Sequence, residues 1–328
     1  MRLVDTFGRV ATDLRVSLTD RCNLRCTYCM PAEGLPWIPR ADLLTAAELV
    51  RLAGIAVTRL GIRGIRLTGG EPTLRPELTE IVRELAALRP RPELSLTTNG
   101  LRLKGLAAGL AAAGLDRVNV SLDTLDPERF RRISRRDGLA EVLAGLDAAT
   151  AAGLHPVKVN AVLVRGVNDD EALSLLHFCL RSGYELRFIE QMPLDPYGAW
   201  NRADMVTAAE IRGMLAGRHR LVPLPGRGSA PAESFLVDDG PARVGLIAAV
   251  TAPFCQACDR VRLTADGQIR NCLFARTETD LRTPLRAGDS DEDLAARWVM
   301  AVHPKKAGHG IDDPAFAAPK RPMSAIGG

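Results

Sequence analysis

The sequence predicts an α/β fold built around a parallel sheet, and three observations predict it. Six short strand-like runs alternate with amphipathic helical patterns over the first two-thirds of the chain. A glycine or polar corner marks the passage from each run to its helix. That rhythm stops at a proline- and glycine-rich stretch, LVPLPGRGSAPAE at 221–233, beyond which strand-like runs predominate. Six units are too few for a closed (β/α)8 barrel. Periodicity alone leaves a partial barrel and a doubly wound sheet both open.

The elements follow in order. The strand-like runs are Leu14–Leu18, Ile65–Leu67, Leu94–Thr97, Val118–Leu122, Val157–Val164 and Leu186–Glu190. Helical patterns lie between them at 45–59, 76–88, 103–113, 139–152 and 169–181. Thr45 with Glu48 forms a capping-box signature at the first helix, and Thr207 with Glu210 repeats it to open a sixth. Further on, Ser234–Val237 and Arg243–Val250 read as strands, Ala265-Asp266-Gly267 as a hairpin turn and Asp291–Met300 as a helix. A Gly/Pro-rich tail ends at Gly327-Gly328. The expected division is an α/β domain over 1–225 and a smaller α+β domain over 226–328.

Composition sets the outer bounds. With 328 residues, 46% hydrophobic and 25% charged, the chain has an ordinary globular make-up. A net charge of +4 is too mild to argue for a nucleic-acid surface, although a local pocket for a small anion is compatible with it. No apolar run approaches the roughly 18 residues of a membrane span, and MRLVDTFGRV lacks the apolar core of a secretory signal. The expectation is a cytoplasmic protein.

Six of the seven cysteines fall into two groups, Cys22/Cys26/Cys29 and Cys255/Cys258/Cys272. An odd total in a long chain does not read as a disulfide framework; closely spaced thiols read as metal ligands. Cys22-x3-Cys26-x2-Cys29, with Tyr28 before the last cysteine, directly follows the first strand. Three thiolates around a 4Fe–4S cubane leave one iron without a protein ligand and therefore open. A zinc site completed by a distant histidine is the plainer alternative, but the Cys-x3-Cys-x2-Cys spacing with an aromatic just before the last cysteine favours iron–sulfur. For the second group, zinc and iron–sulfur are evenly matched on spacing, with His219, His303 and His309 the nearest histidines. Cys179, among Leu175, Leu176 and Phe178, reads as a buried small hydrophobe.

The first motif resembles the signature of the radical S-adenosylmethionine (SAM) enzymes, and Gly69-Gly70-Glu71-Pro72 lines up with it. The resemblance implies a partial, six-unit βα barrel of the radical SAM type. It also implies that the amino and carboxylate groups of SAM chelate the open iron, and that the reduced cluster splits SAM to a 5′-deoxyadenosyl radical. With the second group included, the chain resembles one family end to end, the GTP 3′,8-cyclases of molybdenum cofactor biosynthesis. The motifs are the Arg15 strand, Thr68-Gly69-Gly70-Glu71-Pro72, Thr97-Thr98-Asn99-Gly100, Ser121-Leu122-Asp123, Arg187-Phe188-Ile189-Glu190 and Ile326-Gly327-Gly328.

This resemblance implies two 4Fe–4S clusters with three cysteines each, SAM at the first and GTP at the second. It carries SAM contacts onto Tyr28, Gly70, Ser121 and Met192, and a GTP contact onto Thr97. It implies a double-glycine tail that reaches the active site, an electron donor and a downstream pyranopterin-forming enzyme. Oligomeric state stays open, a homodimer included. Arginine suits a triphosphate because its planar fork holds two oxygens at once. Arg260 and Arg262, two apart on a strand, would share a face, joined by Arg15, Arg66 and Lys158. Lys158 stands out because its strand is otherwise apolar and a strand-borne charge needs a partner. Arg131 to Arg136, by contrast, reads as a solvated face.

Overall fold

The computed structural model describes residues 1–195 and 198–327. Among them the first strands are β1 Asp13–Ser17, β2 Gly64–Thr68, β3 Glu93–Thr98, β4 Arg117–Ser121, β5 Lys158–Val162 and β6 Glu185–Ile189. Then come β7 Leu221–Pro223, β8 Glu233–Val237, β9 Arg243–Ile247, β10 Arg260–Leu263, β11 Gln268–Arg270 and β12 Thr279–Asp280. Helices are α1 Ala46–Leu60, α2 Leu78–Ala86, α3 Leu103–Ala112, α4 Pro127–Ser134 and α5 Leu139–Ala151. They continue with α6 Ala172–Ser182, α7 Ala208–Ala216, α8 Arg282–Arg286, α9 Asp291–Val302 and α10 Met323–Ile326.

β1 to β6 pair in parallel and in chain order, as the repeated strand–helix rhythm requires. The sheet continues past both ends of that set. β9 adds in parallel to β6, and β10 adds in parallel to β1, each carrying antiparallel strands outside it. The last third of the chain therefore extends both edges of one twelve-stranded sheet.

Alternation along each strand explains the layering. In β1, Leu14 and Val16 are fully buried under the helices, while Asp13, Arg15 and Ser17 take the other face. Ile65 and Leu67 flank Arg66, Val118 and Val120 flank Asn119, and Val261 and Leu263 flank Arg262 in the same way. The polar face curls inward. Arg187 on β6 feels the charges of Arg15 on β1 and Arg260 on β10, strands that are not its neighbours in the sheet. Only a curved sheet brings those side chains together.

Most predicted elements appear with boundaries shifted by a residue or two. The capping boxes at Thr45 and Thr207 are both formed, and α1 stops at Gly61 in the left-handed conformation. The strand expected to reach Val164 ends at Val162, and Val164 makes a lone bridge to Met205. Helix α4 was not anticipated, although Asp126 caps it and Pro127 opens it. It also corrects the reading of 131–136 as a solvated face. Arg131 and Arg132 are exposed, but the Ile133 and Ser134 carbonyls accept from the Thr27 and Arg25 N–H groups at 2.9 Å each. Arg135 Nη1 donates to the Met30 carbonyl at 2.9 Å, so this segment braces the first cysteine loop. Cys179 is 1% exposed, as expected of a core thiol. Among the described residues no helix is long and apolar enough to cross a membrane.

Candidate active site

The register places the two cysteine groups at opposite mouths of the curled sheet. Cys22, Cys26 and Cys29 lie beyond the C-terminal end of β1. β10 runs parallel to β1 with Arg260 beside Asp13, so Cys258 lies before the N-terminal ends of both strands. β11 runs back antiparallel, with Arg270 beside Arg262, and returns Cys272 to that same mouth. Asp13–Ser17 is five residues, so about 13 Å of strand separates the two levels.

At the C-terminal mouth lies a cavity of about 260 Å³. Cys22, Cys26 and Cys29 line it together with Tyr28, Gly70, Thr97, Ser121 and Met192, so β3, β4 and the loops that follow β1, β2 and β6 meet there. Burial pushes the Cys22 thiol up to about 11, and burial with the charge of Cys22 pushes Cys29 up to about 12. Burial also raises Cys26, with help from Cys29 and Asp123. Two buried carboxylates stand among these thiols. Glu71 accepts from Thr73 N–H at 3.0 Å, Thr98 Oγ1 at 2.7 Å and Asn99 N–H at 2.7 Å. Asp123 accepts from the Tyr28 hydroxyl at 2.6 Å and the Val162 N–H at 2.9 Å, and its burial lifts it to about 6. Both carboxylates are thus committed to the frame of the loop.

The thiols fit an iron–sulfur cluster. The three share one cavity and act on one another's ionisation. Neighbouring thiols on one cavity suit a polynuclear cluster, whose ligands are distributed over separate irons.

Individual side chains bear on the sequence-derived set. Ser121 is exposed to the cavity, and Thr97 Oγ1 accepts from Asn119 Nδ2 at 3.3 Å. Met192 also packs against the small apolar cluster of Ala232, Ile247 and Ala249. At Gly70 a Cβ would stand 2.4 Å from the Arg21 and Asp20 carbonyls. The glycine is therefore demanded by the chain's own loop, whatever approaches it from the cavity.

Between the mouths the inward face is cationic. Arg15, Arg66, Arg260 and Arg262 are each under 10% exposed. Arg15 pairs with Asp13 at 2.8 Å. Lys158 finds its required partner in Glu185, at 2.6 Å. Arg260 Nη2 donates to the Ser229 carbonyl at 2.7 Å and its guanidinium lies 4.6 Å from the Phe254 ring centroid. Arg262 Nη1 donates to the Gly327 carbonyl. Arg66 makes no ion pair with a carboxylate among the described residues, and its buried Nε has no partner. Burial and Arg15 push Arg66 well down, and burial with Arg117, Arg15 and Arg260 outweighs Glu185 to hold Arg187 at about 10. Arg187 and Arg117 were missed as site residues in the sequence; their alternation with Leu186 and Val118 was the available signal.

In the second cysteine group the two thiols Cys255 and Cys258 move in opposite directions. Burial pushes Cys258 up, but Lys305 and Arg260 outweigh it and hold the thiol below its ordinary value. Cys255 stays raised by burial, despite the His309 N–H and Arg9. None of the three histidines stands ready as a fourth ligand. His219 bonds His177 at 2.8 Å and Asp238 at 2.6 Å through its two ring nitrogens. His309 contacts the Ala249 carbonyl at 3.0 Å and accepts from the Ile311 N–H at 3.1 Å. His303 is exposed at the end of α9.

The tail runs into the barrel. Arg321 grips Asp266 through two bonds of 2.9 and 2.8 Å and meets Glu278 at 2.9 Å. Met323 and Ser324 line the cavity, and a Cβ on Gly327 would stand 2.4 Å from Ser17 Oγ and 2.8 Å from Thr68 Cγ2. Gly327 also has φ +78°, a conformation that favours glycine. Gly328 lies outside the described residues.

Comparisons with known proteins agree with this geometry. Residues 16–179 match the Radical SAM superfamily, and residues 184–311 match Molybdenum Cofactor Synthesis C. The GTP 3′,8-cyclase of Streptomyces coelicolor is 63% identical over 99% of this chain and 96% of its own. The GTP 3′,8-cyclase of Mycobacterium sp. strain KMS is 61% identical over 99% of this chain and 93% of its own. Among solved structures, Streptococcus suis SuiB bound to S-adenosylmethionine aligns with a TM-score of 0.61 at 14% identity, over 84% of this chain and 65% of that one, a likeness of fold. By sequence over its full length, the chain belongs to the radical SAM superfamily and, within it, to the GTP 3′,8-cyclase family.

Proposed function

We infer that this chain converts GTP to 3′,8-cyclo-7,8-dihydro-GTP, the first step of molybdopterin biosynthesis. The observation that carries the choice of substrate is the buried cationic wall, above all Arg66. A guanidinium does not deprotonate in a protein, and Asp13 is one carboxylate facing Arg15, Arg66 and Arg260 together, so the wall calls for a further anion from outside. A triphosphate meets that call along an inward face about 13 Å deep.

Cys22, Cys26 and Cys29 would hold one 4Fe–4S cluster, and Cys255, Cys258 and Cys272 the other. When bound, SAM on the reduced first cluster supplies one-electron chemistry able to remove a ribose hydrogen. The chain's own residues do the rest by placement. Tyr28, Gly70, Ser121 and Met192 form the SAM wall at the C-terminal mouth, where Glu71 and Asp123 favour a cationic ligand. Arg15, Arg66, Lys158, Arg260 and Arg262 hold the triphosphate, with Thr97 on the GTP side of the cavity. Arg262 and the tail carbonyl of Gly327 close the wall of β1, β2 and β10, and the buried lining excludes water. In functional terms residues 1–225 carry the SAM site and residues 226–328 bring the second cluster and two of the GTP arginines. The reaction needs an electron donor and delivers its product to a pyranopterin-forming enzyme. We place it in the cytoplasm.

Anaerobic reconstitution with iron and sulfide, followed by SAM, a reductant and GTP, ATP or no nucleotide, tests this reading. GTP-dependent 5′-deoxyadenosine together with a cyclised nucleotide is the expected result. SAM cleavage indifferent to the nucleotide would remove GTP as substrate.

A further inference from the structure

Lys305 lies in the short segment after α9, and it is 4% exposed. Its ammonium has three partners: the Arg260 carbonyl at 2.8 Å, the Cys258 carbonyl at 3.2 Å and Cys258 Sγ at 3.3 Å. It forms no ion pair with a carboxylate among the described residues. The neighbouring acids are engaged elsewhere, Asp5 with Arg9 at 2.6 Å and Asp259 with the Thr12 hydroxyl at 2.8 Å. A buried charge needs a countercharge, and carbonyl dipoles supply only part of one. Among the described residues the sulfur of Cys258 is the single ionisable group in contact with the ammonium.

The segment that carries Lys305 is itself fixed. Arg9 Nη1 donates to the Cys255 carbonyl at 2.6 Å and the Ala307 carbonyl at 3.0 Å, and Arg9 Nη2 to the Lys306 carbonyl at 2.6 Å. One guanidinium thus ties the cysteine loop to the lysine segment. The ammonium is held against the sulfur by both ends of the chain.

We propose that Lys305 is a positioning residue for the second cluster: it donates a charged hydrogen bond to the Cys258 sulfur and compensates that sulfur's negative charge as a ligand. The inference rests on Cys258 being a cluster ligand, as read above. Hydrogen bonds and charge beside ligating sulfurs set the reduction potential of an iron–sulfur centre. Lys305 therefore raises the potential of the second centre and leaves the first, at the opposite mouth, untouched.

The test is a redox titration of the reconstituted full chain, followed by electron paramagnetic resonance. The first centre, recognised by its response to SAM, serves as internal reference. In Lys305→Met the second centre should shift to lower potential while the first holds its wild-type value. Lys305→Arg, which keeps charge and donor, should fall between the two. Because Lys305→Met could fail to fold, wild-type protein labelled with [15N]lysine provides a second readout: pulsed resonance should detect a lysine nitrogen coupled to the second centre. A second centre that is present, unmoved in Lys305→Met and uncoupled to lysine nitrogen overturns the inference alone. Wild-type protein that assembles no second centre overturns it together with the reading on which it rests.

Discussion

The two mouths of the barrel carry the same three-cysteine set in different electrostatic settings. Around Cys22, Cys26 and Cys29 the buried charged groups are Glu71 and Asp123, and the thiols are raised. Around Cys258 they are Lys305 and Arg260, and the thiol is lowered. On the proposed ligation, three thiolates per site would give both clusters an open iron, so the cysteines alone do not say which small molecule goes where. The surroundings do. SAM is a sulfonium with an ammonium group and suits the carboxylate-lined mouth, whereas GTP carries its charge as phosphates and suits the cationic inward face between the mouths.

The largest expected effect breaks the cationic side. Arg66→Met removes a buried guanidinium that forms no ion pair among the described residues, so GTP affinity should fall by about 100-fold, the worth of charged hydrogen bonds of roughly 3 kcal/mol. The same variant should melt at a higher temperature than wild type without nucleotide, since an unpaired buried charge has been removed. SAM binding should not change. Isothermal titration and calorimetry read both halves, and a lower melting temperature with intact GTP affinity would show that Arg66 serves the fold.

Glu71→Gln attacks the other side. The carboxylate accepts bonds from Thr73, Thr98 and Asn99 in a buried setting. Turning part of it into a donor should cost about 2–3 kcal/mol. Iron bound by Cys22, Cys26 and Cys29 should be lost before iron at the second group. Equal loss from both would mean that the mouths are not independent.

Asp13 sharpens the comparison, because it is the carboxylate within the cationic wall. Burial pushes it up, but Arg15, Arg66 and Arg260 outweigh that and bring it from 3.8 to about 2. A carboxylate held below its unfolded value stabilises the fold above pH ~4 and loses that contribution as pH falls toward about 2. Denaturation at pH 7 and pH 3 should show Asp13→Asn destabilised by about 2 kcal/mol at pH 7 and by less at pH 3. A difference independent of pH would assign the loss to packing. The smallest effect concerns the tail. Arg321→Ala removes the bidentate grip on Asp266, and hydrogen exchange over 323–327 should quicken by about tenfold.

Strand alternation and the cysteine spacings made the sheet, the first loop and the arginines Arg15, Arg66, Arg260 and Arg262 legible, because each is a local pattern. What stayed hidden depends on long-range pairing. That β10 joins β1 and β9 joins β6 is not written in any one segment, and with it went the placement of the second cysteines at the far mouth. Lys158 stood out as a charge in an apolar strand, but its partner Glu185 comes from the next strand. Lys305 gave no sign at all: its meaning lies in a contact with Cys258, 47 positions away. Helix α4 was missed because a run of arginines outweighed the Asp126-Pro127 start.

The sorting of ligands between mouths is tested most directly by resonance spectra of the doubly reconstituted protein, recorded with GTP alone and with SAM alone. GTP should perturb only the centre that survives in a Cys22→Ala/Cys26→Ala/Cys29→Ala variant, and SAM only the centre that this variant loses. A GTP-induced change at the Cys22/Cys26/Cys29 centre, or unperturbed spectra at the other, would contradict the account.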